Sequence, residues 1–203
     1  MGTIWKYVFL AAIAATITGL IVWQRQPTCP FRADIDTQVE AKPAVSAPFG
    51  GEDDVAFAED LWDVLLASDY TAWPMRSEIS IGGSPHGAYV RLYYNTVHVG
   101  SDDDHYHVIV KDNFGGPENP TLDEVTADPE AYLGAITVMV QREPGYDSDN
   151  DDWYWVKYLA DGSLDVNANG VALAGRVAKG AETGCIACHT SAGRGDYLFT
   201  NDG

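Results

Sequence analysis

The spacing of apolar and polar residues changes character three times along this chain. From Tyr7 to Trp23 runs YVFLAAIAATITGLIVW, seventeen residues without a charge. At about 1.5 Å of rise per residue, such a helix is at the short end of what crosses a bilayer. Trp5, Tyr7 and Trp23 stand at its edges, where amphipathic rings favour the headgroup level. The stretch Ile21-Val22-Trp23-Gln24 is a poor cleavage site. A single uncleaved N-terminal transmembrane helix is therefore expected over 1–26; cleavage would instead release the rest. Residues 27–52 hold four prolines and no apolar period, and read as a flexible linker.

A folded domain is expected over 53–203. Asp53 or Asp54 can cap a helix whose apolar positions are Val55, Leu61, Trp62, Leu65 and Leu66. Trp73-Pro74 closes that region. The period then drops to two. Strands are expected at 87–95, 105–111, 135–141 and 153–158, all rich in aromatic and β-branched residues. Residues 121–132 suit a short helix, and 171–181 are helix-permissive. The fold class is α+β, an antiparallel β-sheet with flanking short helices.

Charge narrows the partners. The chain has 203 residues, with 12 Lys plus Arg against 30 Asp plus Glu, and a net charge of -18. From Gly51 onward 8 basic residues face 27 acidic ones. Such a surface repels phosphate backbones, which excludes a nucleic-acid partner. It suits solubility, and cations or basic proteins as partners.

The chemistry concentrates at Cys185-Ile186-Ala187-Cys188-His189. Two thiols three apart on one turn can reach the two vinyl groups at one porphyrin edge. The histidine that follows supplies an axial ligand to the iron. A redox CxxC usually follows a strand near the start of its domain, and a zinc site needs further ligands that no second cysteine pair provides. One covalently attached haem c, held by Cys185, Cys188 and His189, is the reading that fits best. Such attachment takes place outside the cytoplasmic membrane. The expected location is the periplasmic face of that membrane, with the N-terminal helix as the inner-membrane anchor.

The motif ends the domain instead of opening it. No Met or His follows His189. Met75 and Met139 lie upstream, and Met139 in a strand reads as core packing. The expectation is one protein ligand and an open sixth position, able to bind or transform small molecules.

Further residues carry a resemblance. In order along the chain stand Pro85-His86-Gly87-Ala88-Tyr89-Val90 with Asn95, Val108-Ile109-Val110-Lys111-Asp112, and Val138-Met139. Gly145-Tyr146-Asp147 follows with Asp152-Trp153-Tyr154, then the Cys185–His189 motif and Asp196-Tyr197-Leu198-Phe199-Thr200. This set resembles the cytochrome P-460 family and its relatives, the beta-sheet cytochromes c-prime, over about residues 60–200. The resemblance implies a homodimer, a redox partner protein, and small nitrogen oxides as ligand or substrate. In the enzymatic branch it implies hydroxylamine oxidation, with a lysine bonded to a meso carbon of the haem. Lys111 falls on that lysine. From spacing alone it shares a strand face with His105, His107 and Ile109, which an ordinary snorkelling lysine also does. Enzymatic relatives place a haem-side carboxylate where Thr137 stands here. His107 or Asp112 would have to serve instead, or the protein is a non-catalytic gas-binding or electron-transfer cytochrome.

The remaining candidates have plainer readings. His86 reads as a hydrogen-bonded turn histidine or a lining of the haem pocket. His98, His105 and His107 read as solvated side chains. Asp147-Ser148-Asp149-Asn150-Asp151-Asp152 resembles the start of a calcium loop, but Asp152 replaces the glycine at its sixth position and Tyr158 the glutamate at its twelfth. Trp153 and Trp155 share one strand face. Cys29 reads as a free or intermolecularly paired thiol.

Overall fold

The computed structural model describes residues 48–100, 104–117, 119–192 and 196–199. The expected membrane anchor, Cys29 and most of the linker lie outside the described residues. Among those described, no helix is long and apolar enough to cross a membrane.

Among the described residues six strands form one antiparallel sheet in chain order: β1 (Ser80–Ile81), β2 (Tyr89–His98), β3 (His105–Phe114), β4 (Leu133–Gln141), β5 (Trp153–Leu159) and β6 (Ala174–Gly175). Helix α1 (Glu52–Ala67) precedes the sheet, α2 (Leu122–Ala127) connects β3 to β4, and α3 (Cys185–His189) follows β6. The expected α+β class with an antiparallel sheet is what the described residues adopt, and the four expected strands are β2 to β5; β2 starts two residues later and ends three later than expected, while β3, β4 and β5 run one to three residues longer.

The turn at Gly51 starts α1, where the Gly51 amide donates to Asp54 Oδ2 at 3.3 Å. Its face of Ala58, Leu61 and Leu65 is fully buried against Val108, Val110, Val138, Val140 and Tyr154. Each such aliphatic side chain contributes about 1.5–3 kcal/mol. The hydroxyls of Tyr154 and Tyr158 donate to the helix carbonyls of Asp54 and Ala58, both at 2.7 Å. These bonds fix the angle at which α1 lies on the sheet. Leu66, expected inward, is 57% exposed, because it falls outside the 58/61/65 stripe.

Two other expectations change. Residues 121–132 form α2 and then a separate turn at Glu130–Tyr132, because Pro129 removes a backbone donor and disfavours a helical Asp128. Residues 171–181 are not helical. Ala174 and Gly175 pair with Val156 and Trp155 as β6, and Gly175 sits at φ 103°, where an added Cβ would meet the Asp54 carboxylate at 2.4–2.5 Å. The Gly50 amide bonds the Ala174 carbonyl at 2.7 Å, so the last residues of the expected linker belong to the folded body.

Candidate functional site

Alternation sends one side-chain set of β3, β4 and β5 toward α1 and the other away from it. The second set comprises Ile109, Lys111 and Asn113, Thr137 and Met139, and Trp155 and Lys157. These residues floor a cavity of about 330 Å³. Cross-strand register sets them in rows. Lys111 pairs with Thr137 and Thr137 with Lys157, while Ile109 pairs with Met139 and Met139 with Trp155. Leu173, Val177, Cys185 and His189 line the cavity from the C-terminal segment, and Pro85-His86-Gly87 line it from the β1–β2 loop.

Helix α3 brings the sequence motif to this cavity. Cys185 and Cys188 are free thiols, the first partly buried and the second exposed. His189 is 5% exposed, and its ring centre lies 4.8 Å from that of Trp155. Its Nδ1 stands 2.6 Å from the carbonyl oxygen of Tyr197. A carbonyl only accepts, so Nδ1 carries the proton and Nε2 keeps its lone pair. Burial pushes the imidazole below its ordinary value, partly offset by this bond. That shift favours the neutral imidazole, the form that ligates a metal. Residues on both sides of α3 are tied to the β4–β5 loop. Lys179 is ion-paired with the buried Asp147, and the Tyr197 hydroxyl lies 3.4 Å from Asn150 Oδ1. Asp147, the first position of the calcium-like loop, is thus engaged by Lys179 and by the Asn150 amide.

Lys111 lines the cavity. Burial lowers its pKa, while the nearby Cys185 and Cys188 oppose that shift. Neither substitute base does. Asp112 points to the α1 side, where it accepts from the hydroxyls of Tyr70 and Tyr93 at 3.0 and 3.1 Å. His107 is exposed, contacts Thr96 at 3.1 Å, and borders a separate cleft beside Trp153 and Asp196. Met139 is buried among Ile109, Trp155 and Val177 on the cavity floor, while Met75 is 65% exposed and outside the lining. His98 and His105 stand 5.7 Å apart at the hairpin end of β2 and β3, outside the cavity lining.

Two cavity residues, Lys157 and Asn113, escaped the sequence reading, and His86, read there as a turn histidine or a pocket lining, is a third residue on the cavity. Lys157 carries the same alternation as Trp155 and pairs with Asp165 at 2.7 Å. Asn113 stands two residues beyond Lys111. His86 enters from the loop, 6.0 Å between ring centres from His189, and burial pushes its pKa down to about 4. The described lining thus holds two lysines and two histidines and no carboxylate.

The donor set fits a c-type haem. Cys185 and a buried imidazole with a fixed tautomer line one apolar slot, and the exposed Cys188 stands on the same helical turn. Asn113 Oδ1 and Trp155 Nε1, on residues of that slot, are buried without hydrogen-bond partners among the described residues. No family model, curated protein or solved structure matches the chain.

Proposed function

We propose that the chain is a mono-haem c-type cytochrome with an exchangeable sixth position that binds or acts on small nitrogen oxides. Cys185 and Cys188 would hold the porphyrin by thioether bonds, and His189 would ligate the iron. The bond from His189 Nδ1 to the Tyr197 carbonyl carries this reading, because it leaves Nε2 with a free lone pair in an apolar cavity that Cys185 also lines. Bound there, haem iron supplies one-electron chemistry on nitrogen oxides. The chain's own residues exclude water with Ile109, Met139 and Trp155 and present the Lys111 amine to the slot.

The full reading places the domain at the periplasmic face of the inner membrane, anchored by residues 1–26, as a homodimer served by a redox partner protein. Lys111 is the residue proposed to bond the porphyrin ring. The absence of a carboxylate from the described lining favours a second reading, a gas-binding or electron-transfer cytochrome without catalysis.

Expression in a host with export and haem-attachment machinery tests both. Covalent haem must remain on the denatured, solvent-extracted chain, and its loss would overturn the assignment. A far-red absorption band with a lysine–haem peptide adduct is expected for the hydroxylamine-oxidising form. An ordinary c-type spectrum without adduct selects the non-catalytic reading.

A further inference from the structure

We propose that His86 is the second nitrogen donor to the iron, facing His189 across the cavity, so that an external ligand enters by displacing it. This rests on the c-type haem reading. It replaces an open sixth position with one that is filled at rest.

The two imidazole centres are 6.0 Å apart with ring planes at 87°. Two imidazoles sharing one metal through bonds of about 2 Å each place their centres roughly 6 Å apart, and the planes are free to turn about the common axis. A ligating histidine also needs an acceptor for its other nitrogen. For His189 this is the Tyr197 carbonyl. For His86 the matching group is Asn113. Its Nδ2 is committed to the Lys111 and Ala135 carbonyls and to Thr137 Oγ1, at 3.0, 3.1 and 3.2 Å. That fixes which end of the amide is oxygen. Among the described residues Oδ1 is left buried with no hydrogen bond of its own, although His86 lies close enough for the amide to favour a proton on the ring. A small closure of the ring onto Oδ1 satisfies both groups.

The backbone of the loop holds His86 at this post. The His86 amide bonds the Gly83 carbonyl at 2.6 Å, and Gly82 bonds the Ala88 carbonyl at 2.8 Å. Gly87 adopts φ +90° and presses on β3 so closely that an added Cβ would lie 2.6 Å from the Phe114 carbonyl oxygen. Residues 83–85 are exposed, so the loop can lift without disturbing the core.

The test uses the full-length haem-loaded protein and its His86→Ala variant. The expected result is a low-spin ferric spectrum by absorption and electron paramagnetic resonance in the parent. The variant turns high-spin, and added imidazole restores the low-spin form. Ferrous nitric oxide association is expected to be about tenfold or more faster in the variant, because the binding-competent fraction is no longer limited by His86 dissociation. A haem-loaded parent that is high-spin, or a low-spin one unchanged by His86→Ala, overturns the role of His86 and leaves the haem assignment standing. A chain that keeps no haem after denaturation overturns both.

Discussion

The carbonyl oxygen of Tyr197 takes the Nδ1 proton of His189 at 2.6 Å, while Tyr197 itself sits at φ +63°. A non-glycine residue in this left-handed region is held there by its surroundings, here the contacts of its ring with Trp155 and of its hydroxyl with the β4–β5 loop. Tyr197→Pro fixes φ near -65° and must move the carbonyl. The expected outcome is a rise in the haem midpoint potential, because the imidazole loses the partner that makes it a stronger donor. Tyr197→Phe keeps the carbonyl and gives up only long hydroxyl contacts, so its potential stays at the parent value and its stability falls by about 1 kcal/mol or less. Redox titration of the two variants separates these outcomes.

Asp112 makes a second prediction, on stability. Burial raises its pKa above the ordinary carboxylate value, and the Tyr70 and Tyr93 hydroxyls only partly oppose that rise. A carboxyl whose folded pKa exceeds its unfolded one favours folding when protonated. Its contribution is fully present below the unfolded value and is lost as pH rises through the folded one. Asp112→Asn abolishes this dependence. Thermal unfolding of variant and parent from pH 3 to 7 should show the variant gaining relative to the parent as pH increases. A constant difference would refute the assigned shift.

The two faces of the sheet should respond separately to truncation. Leu61 is fully buried between α1 and the strands, on the side away from the cavity. Leu61→Ala is expected to cost about 2–5 kcal/mol by denaturant unfolding. The spectrum of the attached haem and the yield per folded molecule should not change. A spectral shift in this variant would show that the two faces are coupled.

Much of this arrangement was legible in the chain because the sheet is built from alternation. The two-residue period placed β2 to β5 and set Trp153 and Trp155 on one side with Tyr154 on the other. The same rule shows why Asp112 is no substitute base: adjacent to Lys111 in a strand, it must point to the opposite face. His107 shares the face of Lys111 but lies four residues away, toward the hairpin end, beyond the cavity. What the pattern did not contain are the groups placed by tertiary contacts. His86 reaches the cavity because its loop folds back on Phe114, and no local signal encodes that. Residues 171–181 have helical composition, yet Ala174 and Gly175 are drawn into the sheet by pairing with Val156 and Trp155.

Thr137 offers the sharpest test of the missing base. It pairs directly with Lys111 on one side and Lys157 on the other, on the floor of the cavity. Thr137→Glu would place a carboxylate between two cationic strand neighbours, and cross-strand pairs of opposite charge contribute about 0.2–1 kcal/mol each. The fold should therefore tolerate the change. If the haem-loaded parent is slow in hydroxylamine oxidation because no group takes the substrate proton, this carboxylate restores the step. A positioned base is worth about 10²–10⁴-fold in rate. Steady-state oxidation of hydroxylamine with an artificial electron acceptor measures it, with Thr137→Gln as the neutral control of the same size. An increase in the glutamate variant alone assigns the deficit to proton transfer. Equal rates in all three proteins would place the limit elsewhere and favour the gas-binding reading.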